Sequence, residues 1–337
     1  MKQYFKYYSH NYPKNEIRDF LKLLKQICSG PGHFLESESK SLEFLLSEAQ
    51  ALPKVRKHEN LYDCIGPNYV RVNLRPFIKL GLDLEWLNAA FYASAASGKQ
   101  ISIEDALPEL AVFLEKLFPR ELVETEMEKF KRKGNPAMRH SPKFRRVYKP
   151  AYRVLERSFI GPELKALQIQ NFLERIPKTG LTVIAIDGPS ASGKTTVTEA
   201  LKEKLDITLI SVDDFFDGSD DEIGINSERI KEEILLRLKP GKHFEYQRYD
   251  CSKNEFVKRR IEEVKNIVIL EGLYSANSLL SSFYDAVIYF EASEEEQLER
   301  LKKRSERLFP RFLDEWLPRE KKYFQKEGIY ENSDLIV

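Results

Sequence analysis

The residues best placed to do chemistry are Gly188-Pro-Ser-Ala-Ser-Gly-Lys-Thr195, which follow the spacing G-x-x-x-x-G-K-[ST]. That spacing suits a phosphate-binding loop. Glycine at 188 and 193 lets successive backbone N–H groups turn inward on phosphate oxygens, a geometry that a Cβ would resist. A helix starting at the end of such a loop adds its positive dipole end to the same anion. Lys194 is expected to reach the β- and γ-phosphates, and the Thr195 hydroxyl to ligate Mg²⁺. Gly188, Ser190, Ala191, Ser192, Gly193, Lys194, Thr195 and Thr196 are thus the expected nucleotide-binding residues. ATP and Mg²⁺ are the expected cofactors.

Carboxylates follow two other apolar runs. Leu209-Ile-Ser-Val-Asp213-Asp214-Phe-Phe216 ends one run with two, and Ile267-Val-Ile-Leu-Glu271-Gly272 ends another with one. Parallel α/β sheets bind ligands at the carboxyl ends of their strands. In phosphoryl transfer to a hydroxyl, a carboxylate at Asp213 or Asp214 can orient the nucleophile and accept its proton, and Glu271 can hold the water shell of Mg²⁺. The plain alternative for both sites is an acidic loop that caps the next helix.

The elements that must position these groups are legible from periodicity. Thr182-Val-Ile-Ala-Ile-Asp187, apolar and β-branched, reads as a buried strand feeding the loop. Val197, Ala200, Leu201 and Leu205 fall at helical spacing behind it. Further strands are expected at 207–213, 266–271, 285–291 and 333–337, and helices at 194–205, 227–238, 294–307 and 312–326. Strands alternating with helical patterns imply a parallel sheet with helices on both faces. Gly161-Pro162 marks a boundary, followed by a helix at 163–176. The first half reads as mostly helical, with helices at 15–28, 39–52, 83–97 and 120–133 and, at 68–74, an alternating stretch that suits a short strand or an extended segment. Ser102-x-x-Asp105 reads as a capping box before another helix, which Pro108 is expected to confine to its first turn.

One local concentration of charge stands out. Residues 129–153 hold Lys129, Lys131, Arg132, Lys133, Arg139, His140, Lys143, Arg145, Arg146, Lys149 and Arg153, interleaved with Phe144, Tyr148 and Tyr152. Clustered cations among aromatics suit phosphate or nucleic acid. A solvated helix face whose aromatics pack inward is the plainer reading, and the favoured one. The net charge of +1 hides an asymmetry: residues 1–175 carry 29 Lys+Arg against 21 Asp+Glu, and residues 176–337 carry 25 against 32. Halves of opposite sign favour two domains, 1–160 and 161–337. No apolar run approaches the ~20 residues of a membrane span, and the N-terminus lacks the pattern of a signal peptide. Cys28, Cys64 and Cys251 are too scattered for a disulfide framework or a metal knuckle, so a cytoplasmic location with reduced thiols is expected.

From about residue 181 to 337 the chain resembles the uridine kinase and phosphoribulokinase group of P-loop kinases. The resemblance rests on Ile186-Asp-Gly-Pro-Ser-Ala-Ser-Gly-Lys-Thr-Thr196, Val212-Asp-Asp-Phe-Phe216, Arg248-Tyr-Asp-Cys251, Ile269-Leu-Glu-Gly272 and Trp316-Leu-Pro-Arg-Glu320. Ser333-Asp-Leu-Ile-Val337 resembles the group's closing strand. The resemblance implies a five-stranded parallel sheet of order 2-3-1-4-5, with Asp213 as general base for the acceptor hydroxyl. It further implies that Tyr249 and Asp250 belong to a loop lining the acceptor site and that Arg300, Arg304 and Arg307 form an arginine lid over the transferring phosphoryl; Asp214, Phe216, Tyr249, Asp250, Arg300 and Arg307 are the expected substrate-binding residues. Ordinary i,i+4 pairing with Glu296, Glu299 and Glu306 is the alternative for those arginines. The group's nucleoside enzymes place an aspartate beyond this point; residues 218–227 offer Asp220 and Asp221 without a clear match.

Together these readings predict an α/β P-loop kinase behind a mostly helical N-terminal domain. The expected activity is transfer of phosphate from ATP to a hydroxyl of a small-molecule acceptor, with Asp213, Lys194 and Arg304 in catalytic roles. A nucleic-acid-associated kinase or ATPase using 129–153, or a nucleotide-binding regulatory protein, are the alternatives. No membrane partner is expected, and homo-oligomer formation is left open.

Overall fold

The computed structural model describes residues 1–31, 37–52, 59–96, 100–177, 180–216, 224–250, 253 and 255–337. The chain divides into two compact units, Met1–Gly161 and Pro162–Val337. Among the described residues no helix is long and apolar enough to cross a membrane.

The first unit opens with α1 (Lys2–Asn11), α2 (Ile17–Ser29) and α3 (Glu38–Ala51), then the strands β1 (Tyr62–Cys64) and β2 (Tyr69–Asn73). Helices α4 (Leu74–Lys79), α5 (Leu84–Ala96), α6 (Ile103–Leu114), α7 (Arg120–Arg132) and α8 (Pro142–Tyr148) follow, and β3 (Tyr152–Glu156) returns to the sheet. The strands form an antiparallel sheet of order β1-β2-β3, with Val70 opposite Leu155. In α2 a capping box between Glu16 and Asp19 fixes the start, and Phe20, Leu24 and Ile27 on one stripe are fully buried. Phe113 of α6 meets Phe5 and Phe20 at ring distances of 5.8 and 5.7 Å. Arg71 of β2 is also buried. Its guanidinium lies 5.0 and 4.9 Å from the ring centres of Tyr8 and Tyr152 and donates twice to Gln26 Oε1, at 3.0 and 2.6 Å.

Two expectations for this unit need correction. Helix α6 does not stop in its first turn; it runs through Pro108 to Leu114. The proline costs one hydrogen bond, but Leu107, Leu110 and Leu114 bury a common face, and tertiary packing outweighs that loss. The periodicity shows only one of the three strands. β1 is three residues long and wholly buried, and β3, half-buried at Tyr152 and Arg153 and buried from Val154 to Glu156, shows no regular in–out alternation.

The second unit starts with α9 (Pro162–Leu173), then β4 (Thr182–Asp187), α10 (Lys194–Lys204), β5 (Ile207–Ser211) and α11 (Ser227–Glu233). A hairpin of β6 (Phe244–Asp250) and β7 (Glu255–Ile261) precedes β8 (Ile267–Glu271) and β9 (Ala286–Tyr289). The chain closes with α12 (Glu294–Arg304), the single turn α13 (Phe309–Arg311), a π-turn at Phe312–Trp316, α14 (Leu317–Glu327), α15 (Ile329–Asn332) and β10 (Leu335–Ile336). Five strands make one parallel sheet in the order β10-β9-β4-β8-β5. Counted along the chain this is 2-3-1-4-5, the order that the resemblance implies. β4 is central and all six of its residues are buried, as a parallel strand covered on both faces demands. Ile184 pairs with Ile269 on one side and Ala286 on the other. Ile169 of α9, Val197 and Leu201 of α10 and Leu335 of β10 complete the core.

Elements here are shorter than periodicity suggests. Helix α12 stops at Arg304, three residues before the expected 307, and α11 ends at Glu233 before a 3₁₀ turn at Leu235–Arg237. The β6–β7 hairpin was not expected at all.

Candidate active site

Strand β4 delivers the chain to the loop, and a buried aspartate pins the exit. Asp187 accepts hydrogen bonds from the N–H groups of Gly188 (2.7 Å), Tyr274 (3.2 Å) and Ala276 (3.0 Å) and from the Tyr323 hydroxyl (2.6 Å). This one carboxylate ties the loop to the segment after β8 and to α14. Burial raises its pKa, against the opposing pull of those donors and Lys194. Gly188 is required by contact as well as by conformation: its φ is +147°, and a Cβ there would collide with the Phe290 carbonyl oxygen. Gly193, at φ +95°, caps α10.

The loop amides do not all face the same way. Ser190 N–H donates to Glu320 Oε2 at 3.1 Å, Ser192 N–H to the Pro189 carbonyl at 3.2 Å, and Gly188 N–H to Asp187. Among the described residues, the N–H groups of Ala191, Gly193, Lys194, Thr195 and Thr196 have no protein acceptor. Five amides at the start of one helix are what an oxyanion cradle requires. The expected binding set thus separates into residues whose amides serve the loop itself and residues whose amides remain for a ligand.

Lys194 is buried and donates to the carbonyls of Gly188 (2.7 Å) and Pro189 (2.9 Å). Burial lowers its pKa, while Asp187, Glu271, Asp213 and Glu320 pull it up. Thr195 Oγ1 lies 3.5 Å from Glu271 Oε2. Burial raises the Glu271 pKa, and the nearby charge of Asp213 adds to the rise. These two groups are hard oxygen donors side by side, the donor chemistry that suits Mg²⁺.

The paired aspartates at the end of β5 have opposite fates. They sit in a 3₁₀ turn at Val212–Phe215, directed by Gly272, where a Cβ would crowd Val212 Cγ2 at 2.5 Å and stand 3.4 Å from Asp213 Oδ1. Asp213 stays open to solvent, yet the protein atoms crowded around its carboxyl raise its pKa, with Lys194 and then Arg304 opposing the rise. Asp214 is buried and engaged by the hairpin: the Tyr246 hydroxyl donates to Oδ2 at 2.6 Å, Arg259 Nη1 at 3.1 Å, and Arg248 Nε lies 3.8 Å from Oδ1. Phe216 follows, 39% exposed.

Tyr249 and Asp250 stand on the last two positions of β6, not in a loop. Tyr249 packs edge-on against Phe256 at 5.3 Å, and Asp250 Oδ2 lies 3.9 Å from Arg248 Nη2. Of the three lid arginines, Arg300 donates to the Ala191 carbonyl at 3.1 Å and lies 3.7 Å from Glu296. Arg304 ends α12 and acts on Asp213. Arg307 is exposed in the turn beyond, so the three do not share one helix. Asp220 and Asp221 lie outside the described residues.

Sequence reasoning missed Asp187, Glu320 and Tyr246. The first two fell inside quoted motifs without a role, and only the fold reveals that they grip the loop. Tyr246 lay in an unrecognised hairpin.

In the basic stretch of the first unit, Lys129 and Arg132 pair with Glu126 (2.7 Å) and Glu128 (2.6 Å) on α7. Its aromatics are engaged internally: Phe144 stacks on His140 at 4.1 Å, Tyr148 meets Tyr12 at 5.1 Å, and the Tyr152 hydroxyl lies 2.7 Å from His140 Nε2.

Comparison with known proteins places these features in context. Residues 184–308 match a P-loop family described as an AAA domain. No curated protein matches the chain by sequence. Among solved structures, the chain is similar to a Bacillus stearothermophilus protein described as a possible uridine kinase, at 18% identity and TM-score 0.42, over 52% of this chain and 98% of that one. It is also similar to shikimate kinase from Aquifex aeolicus, at 24% identity and TM-score 0.25, over 46% and 86% of the two chains. A second shikimate kinase, from Bacteroides thetaiotaomicron, is similar at 15% identity and TM-score 0.26, over 46% and 84%. The loop and the sheet order, with the family model that matches residues 184–308, give the second unit the fold of a P-loop domain.

Proposed function

We propose that the second unit is a phosphotransferase that passes the γ-phosphoryl group of ATP to a hydroxyl of a small molecule. The observation that carries this reading is the grouping of Asp213 with Lys194, Arg304 and Glu271, close enough for each to perturb the charge of another. A nucleotide-binding switch needs the cradle alone. A carboxylate left open beside it, with a raised pKa, is what a hydroxyl nucleophile requires.

The five free amides and Lys194 would hold the phosphate tail, with Lys194 exchanging the carbonyls of Gly188 and Pro189 for phosphate oxygens. Asp213 would orient the acceptor hydroxyl and take its proton as the oxygen attacks in line. Arg304 would then face the charge spreading over the transferring group. Asp214, committed to Tyr246 and Arg259, would hold the hairpin against the acceptor side and not act as base.

Thr195 and Glu271 would hold Mg²⁺, which when bound neutralises charge on the β- and γ-phosphates. Among the described residues no group of three or more His, Cys, Asp or Glu side chains is arranged as a cation cage. Water and nucleotide oxygens would complete the shell. The charges around Lys194, namely Asp187, Asp213, Glu271 and Glu320, oppose a bare triphosphate, so nucleotide affinity should depend on Mg²⁺.

The test is an ATP-consumption screen over nucleosides, sugars, vitamins and polyols. One class of hydroxyl should accelerate ADP formation. In the Asp213→Asn protein that rate should fall about 10²–10⁴-fold, the usual worth of a general base, while ATP still binds. Undiminished turnover in this variant would contradict the assignment.

A further inference from the structure

We propose that the first unit binds a small phosphorylated molecule in a cavity of about 750 Å³ lined by Lys22, Arg75, Arg139, Arg145, Lys149 and Arg153. The site is independent of the phosphate loop, and neither reading depends on the other.

Charge is the first argument. Among the described lining residues Glu48 is the one carboxylate, and it is already paired with Arg153 at 2.8 Å. The side chains of Arg139, Arg145 and Lys149 have no carboxylate within 4.0 Å among the described residues. Lys22 is partly buried and, among the described residues, donates only to the Met138 carbonyl, at 3.0 Å. Burial, with Arg71 nearby, brings its pKa down to about 8. Arg75 is buried, held by Glu59 at 2.7 Å and by the Lys149 carbonyl at 2.7 Å, and its Nε lacks a partner among the described residues. Cations gathered around a concavity repel one another unless an anion joins them, and several arginine forks match the tetrahedral oxygens of phosphate.

The second argument is the backbone at Lys149, which adopts the left-handed conformation (φ 44°) as the cap of α8. Glycine would fit there without strain. A lysine in that position costs stability, and here it is exposed and lines the cavity. The floor is fixed and its imidazole is neutral around pH 7: Tyr152 hydrogen-bonds His140, His140 meets the Asp19 carboxylate at 3.0 Å, and burial holds the His140 pKa down to about 4.

Size and shape narrow the ligand. The volume lies in the range of small-molecule pockets, and Phe44 and Phe91 give it an apolar wall. Phe144, Tyr148 and Tyr152 are engaged with their neighbours, so the stacking platforms that a single-stranded nucleic acid would need are absent from this segment's described surface. A phosphate carried on a small, partly apolar body fits both properties.

The test uses the full chain with Lys194→Ala, which impairs the phosphate loop, titrated calorimetrically with inorganic pyrophosphate. The proposal predicts one remaining site. Adding Arg139→Ser and Arg145→Ser, both on exposed residues, should weaken it about tenfold or more, and Glu48→Gln should strengthen it. Lys149→Gly should raise the melting temperature while weakening binding, a pairing that a purely structural role cannot produce. The proposal is overturned by absence of pyrophosphate binding in the Lys194→Ala chain, or by an affinity indifferent to Arg139→Ser and Arg145→Ser. Displacement of pyrophosphate by a single-stranded oligonucleotide, where a mononucleotide does not compete, would assign the surface to nucleic acid instead.

Discussion

Asp213 and Asp214 are chemically identical neighbours, and their surroundings assign them different work. Asp214 is held by Tyr246 and Arg259, whereas Asp213 keeps an open carboxyl whose pKa is raised by the protein around it. The raised value has two consequences of known sign. As a base, Asp213 acts when ionised, so the acid limb of the pH–rate profile should lie above the ordinary aspartate value of about 4. For stability, a carboxyl with a raised folded-state pKa favours the fold when protonated, and that contribution is lost as pH rises through the raised pKa. Asp213→Asn should therefore melt higher than the native chain at pH 7 while losing turnover, as thermal denaturation can check. At Gly188, alanine would bring a Cβ against the Phe290 carbonyl at an unfavourable φ. Roughly 3 kcal/mol or more of destabilisation is expected in urea titrations. The sequence nominated both aspartates and the glycine; which aspartate is free depends on Arg259 and Tyr246, distant in the chain, and no local pattern encodes that.

The hairpin of β6 and β7 is the element that the sequence concealed. Every residue of β7 is exposed or half-exposed, and its Lys-Arg-Arg run carries no alternation. Its purpose is visible only where Tyr246 and Arg259 reach back to Asp214. Tyr246→Phe removes the shortest of those bonds and should cost about 1–2 kcal/mol. If the hairpin borders the acceptor, its kinetic signature is a higher KM for the acceptor with an unchanged KM for ATP. An equal rise in both would remove the hairpin from the acceptor site. Helix α12, by contrast, was legible in part: it starts at Glu294 as expected, where the structure shows a capping box, with Ser293 accepting from the Glu296 amide at 3.2 Å. Its end was not legible, because the charged run beyond Arg304 has the composition of a helix but folds as a turn. Arg307 therefore drops away from the pair Arg300 and Arg304.

Across the whole chain, the parallel sheet was the most legible feature, since an apolar strand such as β4 can be satisfied only between two others. The first unit was legible mainly as helices. Its polar interior was not, because Asp19, His140, Tyr152 and Arg71 come together from four separate elements. That interior should set the acid stability of the chain. His140 has a folded-state pKa near 4 against about 6.5 unfolded. Its neutral form stabilises the fold fully above pH 6.5, and about 3 kcal/mol should be lost as pH falls from 6.5 to 4. Denaturant titrations across that range check the slope, which His140→Gln should abolish.

The account stands on transfer of a phosphoryl group to a hydroxyl, and the most direct measurement follows the γ-phosphate itself. With labelled ATP, Mg²⁺ and the acceptor mixture, ³¹P spectra should show the label in a new phosphate ester for the native chain. For Asp213→Asn the label should remain on bound ATP. Label appearing only as inorganic phosphate, or ester formed equally well by both proteins, would contradict it.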